Sequence, residues 1–279
     1  MTTKILKTII KVFLLSVPAV IPFLFVKSLY FPYVSGKVYV FRTLVALAFF
    51  FWIWLITQEA KSKNQELRKS LLVFKNVLVV ALFLFFLAHV LVSFFGVDPL
   101  YSFFSSIERA DGVLQYGFWL LYFLILSSVF RTRQDWKLFF CVFIIVAALL
   151  SIYSLAHFKE QGRLHALFGN SSYLAVFLLF AIGFSAIMIE RKFFRERYFN
   201  GLIVSAAALF IITLIFTQTR GVYAGILGGI FLFCILSILF LRRENKKLVL
   251  SCGIVLFTGL IAITALFAFR NTNFVQSNH

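Results

Sequence analysis

The sequence predicts an all-α fold, a polytopic transmembrane helix bundle of about nine spans with the N-terminus inside and the C-terminus outside. Of its 279 residues, 62% are hydrophobic and 13% are charged, and the mean hydropathy is +0.99. Soluble domains carry about 45–50% apolar and about 25% charged residues. The second observation is a series of apolar stretches long enough to cross a bilayer, and the third is the alternation of Lys and Arg between their connections. A soluble domain, a disordered chain and a disulfide scaffold are excluded.

Each span needs about 20 apolar residues. The stretches that meet this requirement are 9–31, 38–57, 76–96, 113–130, 138–156, 171–189, 200–217, 222–240 and 248–269. The first follows a basic tail as a secretory signal does, but Pro18 and Pro22 interrupt it and no small-x-small cleavage site follows. We expect it to remain as a signal anchor. No repeat or low-complexity linker divides the chain, which predicts one membrane domain over residues 1–279.

The basic residues orient these spans. Nineteen of the 27 Lys and Arg lie in the N-terminal tail and in the connections on its side, and eight lie on or near the opposite side. Short loops rich in Lys and Arg stay in the cytoplasm, which predicts the N-in, C-out orientation. The same distribution accounts for most of the net charge of +17 without nucleic acid. The lipid bilayer is the expected partner, and nucleic acid is not.

Neither disulfides nor a metal site are predicted. Cys141, Cys234 and Cys252 each lie within an apolar stretch, their number is odd, and no C-x-x-C spacing occurs. We interpret them as small buried residues of helices. The outer segments carry no dense group of Asp, Glu and His, and we expect no metal and no cofactor.

Basic residues on the outer side run against the positive-inside rule. We expect Lys27 and Lys37 to extend their ammonium groups to the interface. Arg42 lies about a turn inside the second span and either does the same or points into the bundle, where a charge is commonly functional. Arg109 lies in segment 97–112, which is either an interfacial half-helix or an ion-paired loop.

Segment 157–175 offers a possible anion site. Asn170 or Ser171 is a good N-cap for the sixth span, and helix N-termini attract anions. Arg163 lies a few residues upstream, from where it could fold back over this helix start. An arginine beside a helix N-terminus suits phosphate. The alternative is an ordinary capped helix beside a basic loop.

Segment 216–225 forms a polar break between two spans that are joined by a very short connection. It contains Gln218 and Arg220. An arginine in so short a turn at membrane depth indicates an anionic partner, either an outer acid or a lipid phosphate. Glycines recur every four residues after it, and we interpret them as a stripe that lets another helix approach closely: Gly221, Gly225 and Gly229.

These segments together resemble a known family. GRLHALFGNSSYLA followed by FTQTRGVYAG resembles the signature of the O-antigen ligase and O-antigen polymerase superfamily, here within about 157–270. FPYVSGKVYVFR at 31–42 and YSFFSSIERADG at 101–112 also resemble a bacterial branch of it. The order of the segments and the predicted topology agree with that family.

The resemblance implies a metal-independent glycosyltransferase of the bacterial inner membrane. Such enzymes transfer a glycan from an undecaprenyl diphosphate carrier to the hydroxyl of a saccharide acceptor at the periplasmic face. By motif match, Arg163 and Arg220 are the residues that would hold the diphosphate, and we expect both to converge on one outer cavity. Asn170, Gln218 and Arg109 are the expected supporting residues.

The catalytic base is not assigned. The family carries a His in a large outer loop after a helix like 248–269, whereas this chain ends with RNTNFVQSNH. We therefore expect a C-terminally truncated member that binds a lipid diphosphate weakly and transfers glycan poorly. The outer candidates present are His157, Glu160, His165 and Asp111, and the resemblance gives the role to none of them.

Two other classes stay open. A flippase or transporter for lipid-linked sugars would carry charges along a path through the bilayer, and the spans hold few. An inactive membrane scaffold is the other alternative, which a truncated chain makes more credible. Ligase and polymerase differ in their acceptor, and the sequence does not separate them.

Overall fold

The computed structural model describes residues 2–61, 76–241 and 246–269 of the chain. The described residues are helical with connecting turns, and no strand occurs among them. We number the α-helices in chain order: α1 Thr3–Val20, α2 Ser35–Lys61, α3 Val77–Phe94, α4 Pro99–Phe104, α5 Val113–Val129, α6 Arg133–Ala156, α7 Phe158–Gln161, α8 Ser171–Glu190, α9 Arg197–Phe216, α10 Arg220–Leu241 and α11 Lys246–Phe269. The predicted all-α class is confirmed.

Seven of these helices are long and apolar enough to cross a membrane, as judged over the described residues. They are α1 with the turn that follows it, α2, α3, α6, α8, α9 and α10. The two remaining predicted spans, 113–130 and 248–269, coincide with α5, which has 17 residues, and with α11. The chain is therefore a multi-pass helical protein, while the count of nine and the orientation stay predictions. The basic residues at 63–75, at 242–243 and at 270 lie outside the described residues.

The first predicted span, 9–31, has the wrong bounds. The helix begins at Thr3 and continues as a 3₁₀ turn, Ile21–Phe23, that contains Pro22. Leu24 is already extended, and the Val26 amide donates to the Pro32 carbonyl at 3.1 Å across a turn. Apolar composition continues to residue 31, but a proline lacks the amide needed to continue a helix, so the helix stops where its prolines cluster.

The chain forms two compact units, Met1–Gln218 and Thr219–His279. Within the first unit α1 is central, because it packs against α2, α5 and α6. Helices α8 and α9 pack on α6 and on each other, and α3 packs on α5. The core side of α1 is a stripe at four-residue spacing: Leu6, Ile10, Leu14 and Pro18. That spacing places the four side chains on one face of a helix.

The second unit consists of α10 and α11, which pack together. Their close approach lies at Gly259, where an added Cβ would stand 2.5 Å from the Phe231 ring. Within this unit a Cβ added at Gly221, Gly225 or Gly229 meets no described atom within 4 Å, and their role as a packing stripe stays a prediction. Cys234 and Cys252 are buried free thiols on the two helices and share a hydrogen bond, a proximity that the sequence did not predict.

Candidate functional site

The loops at one end of the first unit are held by the start of α2. We call the described segments 31–42, 105–115, 163–170 and 216–218 the loop face. The residues of segment 31–42 divide between two partners according to helical spacing. One set, Tyr33 and Lys37, contacts the loop before α8, and the other set contacts the loop before α5: Ser35, Tyr39 and Arg42.

Tyr33 and Lys37 lie against the loop that precedes α8. The Lys37 Nζ donates to the Leu167 carbonyl at 2.5 Å and lies 4.5 Å from the centre of the Phe168 ring. The Tyr33 ring covers Gly169, which has a φ of +68° and where a Cβ would stand 2.4 Å from that ring. Lys27 is exposed and Lys37 is half-buried, and the extension of either ammonium to the interface stays a prediction. The Leu167 carbonyl binds the Lys37 ammonium.

Of the two directions that the sequence allowed for Arg42, toward the interface or into the bundle, the structure shows the second. Its Nε donates to the Oε1 of Gln115 at 2.9 Å, and its Nη2 donates to the Ala110 carbonyl at 2.7 Å. Gln115 is only 4% exposed. A buried amide oxygen and a buried carbonyl are thus satisfied by one guanidinium, which explains why a charge is retained at this depth.

Two further bonds join α2 to the same loop. The Ser35 hydroxyl donates to the Glu108 carbonyl, and the Tyr39 hydroxyl donates to the Ile107 carbonyl at 2.6 Å. Sequence reasoning did not identify Gln115, Ser35 or Tyr39. The available signal was the polar spacing 35, 39 and 42 along one helix face, together with a glutamine inside an apolar stretch.

Arg163 binds the C-terminal end of α9. Its Nε and Nη2 each lie 3.2 Å from the Thr217 carbonyl, and its Nη2 lies 3.2 Å from the Gln218 carbonyl. Next to it, the Leu164 amide donates to the Phe216 carbonyl at 3.3 Å. The expectation that Arg163 folds back over the start of α8 is therefore wrong. The last carbonyls of a helix have no intrahelical donors and form its negative end, so they attract a guanidinium.

Gln218 adopts a left-handed backbone conformation with φ +50°. A non-glycine residue pays a strain cost for this conformation, and neighbouring contacts must hold it there. Arg163 supplies such a contact through the Gln218 carbonyl. The predicted supporting residue Gln218 therefore contributes its backbone to the loop face, while its side chain is exposed.

Asn170 is the N-cap of α8, as predicted. Its Oδ1 accepts a hydrogen bond from the Ser172 amide at 2.8 Å. Helix α8 starts where Gly169 has turned the chain in the left-handed region, so the cap and the glycine together fix the direction of the helix.

Segment 97–112 contains both a short helix and an ion-paired loop, and Arg109 lies in the loop. Helix α4 forms the short helix, and Arg109 Nε lies 3.8 Å from the Asp111 Oδ2 with both side chains more than half exposed. Its guanidinium lies 5.9 Å from the centre of the Phe31 ring. An exposed pair at this separation contributes little to stability.

Arg220 begins α10 in the second unit and is exposed. Arg163 belongs to the first unit. Their convergence on one outer cavity stays a prediction.

The candidate bases whose side chains are described each have a local contact. The Nδ1 of His165 lies 2.9 Å from the Ala166 carbonyl, and the Nδ1 of His157 lies 2.9 Å from the Tyr153 carbonyl. Asp111 accepts a hydrogen bond from the Ser105 hydroxyl. The side chain of Glu160 lies outside the described residues. Within the described part of the chain, no group of three or more His, Cys, Asp and Glu is placed to hold a metal ion.

Comparison of the chain with protein-family models, with curated proteins and with solved structures gives no match. The resemblance in segments 31–42, 101–112, 162–175 and 216–225 therefore stays a prediction.

Proposed function

We propose that this chain is a membrane glycosyltransferase of the O-antigen ligase and polymerase type. It would act at the periplasmic face of a bacterial inner membrane, on a glycan carried by undecaprenyl diphosphate and on a saccharide acceptor. The observation that supports the proposal best is the contact between the two segments of the resemblance. Arg163 of the first segment binds the carbonyls of Thr217 and Gln218 in the second.

The chemistry of this reaction suits arginine. When an acceptor hydroxyl attacks the anomeric carbon, negative charge builds up on the departing diphosphate. Guanidinium groups bind phosphate oxygens in pairs and stay charged at any physiological pH. Donors fixed in position stabilise such a charge more strongly than mobile water does. Arg163 is exposed, and its guanidinium is held in place by the end of α9, so we assign it as the first hydrogen-bond donor to the diphosphate. Arg220 is the second proposed donor.

A transporter finds less support in the arrangement of charges. In the described spans, charged side chains other than Lys11 lie within about two turns of a helix end, and Lys11 in the middle of α1 has a carboxylate partner. At one end, Lys7 and Lys11 pair with Glu59 and Asp135 at 3.0 and 2.5 Å. At the other end lie Lys37 and Arg42, whose acceptors are described above.

The proposal is tested by binding and transfer assays on the full chain in nanodiscs. Undecaprenyl diphosphate and undecaprenyl monophosphate serve as paired probes for binding, and a lipid-diphosphate-linked glycan with a saccharide acceptor serves for transfer. The variants are Arg163→Lys and Arg220→Lys, with Arg195→Lys as a control on an exposed residue outside the loop face. Lysine keeps the charge but loses the paired geometry. Equal thermal midpoints of the parent and the variants check that the fold is retained.

We expect the parent to bind the diphosphate more tightly than the monophosphate. Each site variant should lose most of that preference, and any transfer activity should fall by roughly 10²–10³-fold, as expected for the loss of one stabilising donor. The control should behave as the parent does. Equal binding of the diphosphate by the parent and both site variants would show that neither arginine binds the diphosphate. A parent that prefers neither probe would exclude the proposed substrate and leave the scaffold alternative.

A further inference from the structure

A second group of cations lies at the other end of the bundle, between α6 and α8. A cavity of about 590 Å³ opens there, and three basic residues line it: Arg133, Arg191 and Lys192. Glu190 is the one acid among the lining residues. The charged groups of the lining therefore sum to a net positive charge, which favours an anionic ligand.

The end of α8 fixes the backbone at two of these basic residues. Arg191 is the C-cap, and Lys192 follows with a left-handed backbone, φ +48°. The Phe193 amide donates to the Met188 carbonyl at 3.1 Å, as in a Schellman motif at a helix C-terminus. Arg133 then donates from Nη2 to the carbonyls of Arg191 and Lys192, the latter at 2.8 Å. The three basic residues are thereby held beside one another.

The rest of the lining is apolar and aromatic. Trp136, Phe140, Ile187 and Phe193 lie beside the cations. Phe193 contacts Phe140 edge to face at 6.0 Å and lies 5.0 Å from the Arg133 guanidinium. A free inorganic anion would gain nothing from contact with these apolar side chains. A ligand with a phosphate at one end and an acyl chain at the other matches both parts, and tryptophan is typical of the membrane interface where such ligands lie.

Another basic cavity among the described residues is different. A cavity of about 160 Å³ is lined by Lys7, Lys11 and Arg131, together with Asp135. Lys11 pairs with Asp135, and Lys7 pairs with the buried Glu59. Its lysines already have carboxylate partners, so the cavity between α6 and α8 is the better anion site.

We propose that the cavity between α6 and α8 binds the headgroup of an anionic phospholipid through Arg191 and Lys192, with an acyl chain against Trp136 and Phe140. In the predicted orientation this cavity faces the cytoplasmic leaflet, where anionic lipids attract basic residues near the surface. The proposal is independent of the glycosyltransferase reaction at the loop face.

The test compares lipid retention by the full chain and its variants. The protein is reconstituted with equal amounts of phosphatidylglycerol and phosphatidylcholine, and retained lipid is counted by native mass spectrometry. The site variant is Arg191→Gln with Lys192→Gln, which keeps the backbone carbonyls that Arg133 binds. The matched control is Arg195→Gln with Arg197→Gln, which removes the same charge from exposed residues that do not line the cavity. Equal thermal midpoints in phosphatidylcholine show that the variants are folded.

The parent should retain phosphatidylglycerol in preference to phosphatidylcholine at one saturable site. A basic residue near a membrane surface contributes about fivefold to anionic lipid binding, so the site variant should lose the preference by roughly 5–30-fold. The control should change this preference less than about twofold. That result would show that the loss in the site variant does not come from the lower net charge alone. Glu190→Gln, which removes the acid of the lining, should strengthen the preference.

Three results would overturn the proposal. Equal losses in the site variant and the control would mean general attraction to the membrane. An unchanged preference in the site variant would mean that the cavity binds no such lipid. Displacement of phosphatidylglycerol by millimolar inorganic phosphate would mean that the apolar wall contributes nothing and that the ligand is a soluble anion.

Discussion

The Tyr122 hydroxyl of α5 donates a hydrogen bond to the Leu14 carbonyl of α1 at 3.2 Å. Leu14 stands four residues before Pro18, which is buried inside α1. A proline has no amide to donate to the carbonyl four residues earlier, and a free carbonyl is costly in an apolar interior. Tyr122 therefore supplies the hydrogen bond that Pro18 cannot make, and it joins two helices while doing so.

Replacing Tyr122 by Phe should lower the free energy of unfolding by about 1 kcal/mol, the usual size of a hydrogen bond between membrane helices. Replacing Pro18 by Ala restores the missing amide, so Tyr122→Phe should cost less in that background. Unfolding in mixed micelles measures both values, and Tyr101→Phe, at an exposed tyrosine, serves as the control. An identical cost of Tyr122→Phe in both backgrounds would contradict the link to Pro18.

Gly169 should not tolerate a side chain. Its φ of +68° disfavours every residue with a Cβ, and that Cβ would stand 2.4 Å from the Tyr33 ring. Gly169→Ala should destabilise the protein by about 2 kcal/mol or more, since the left-handed conformation alone costs roughly 1–2 kcal/mol. Gly183→Ala, in the middle of α8 with open space around it, should be neutral or stabilising by up to about 1 kcal/mol. Equal midpoints of thermal unfolding for the two variants would argue against the close contact with Tyr33.

Arg42, which donates to two buried acceptors, should contribute more to stability than the exposed Arg109. Arg42→Met leaves the Gln115 amide oxygen and the Ala110 carbonyl without their donor, and should cost about 1.5–3 kcal/mol. Arg109→Met removes an exposed cation whose ion pair measures 3.8 Å, and should change stability by less than about 0.5 kcal/mol.

A double variant separates the loss of a bond from the loss of packing. Gln115→Leu removes the buried acceptor, so adding it to Arg42→Met should recover part of the stability. If the two costs simply add, the hydrogen bond between Arg42 and Gln115 does not contribute to the fold.

Topology is tested by labelling single cysteines in a chain whose native cysteines are replaced. Tyr30 is 81% exposed in the loop after α1, and Glu196 is exposed in the loop before α9. In the predicted orientation, an impermeant maleimide should label Tyr30→Cys in intact cells and Glu196→Cys only after permeabilisation. The predicted outer positions 160 and 275 and inner positions 64 and 245 extend the same test, although their side chains lie outside the described residues. The reverse pattern would invert the topology and place both Arg163 and Arg220 in the cytoplasm.

The helices could be predicted from sequence because a bilayer leaves the backbone few alternatives. A long apolar stretch must satisfy its own amides and carbonyls, so composition alone locates α2, α3, α6 and α8 within a few residues. The prediction failed where the chain stays apolar but turns, as it does from Leu24 to Phe31. There the prolines decide the structure and hydropathy does not.

The contacts of the loop face were harder to predict from sequence. Asn170 could be predicted as an N-cap because its acceptor lies two residues away. The acceptors of Arg42 and Lys37 lie 73 and 130 residues away, and no local pattern selects them. Arg163 could be singled out from sequence as a basic residue on the predicted outer side, but the direction of its side chain depends on where α9 ends in space.

The bond between Lys37 and Leu167 also constrains the biogenesis of the protein. Leu167 is synthesised 130 residues after Lys37. At about 5–20 residues per second, roughly 6–26 s separate the two on the ribosome. During that interval α2 has been made, yet the carbonyl that binds its ammonium does not exist. Until then this charge needs another environment, such as water, the lipid headgroups or the insertion machinery. Its bond to Leu167 forms only after α6 has been made.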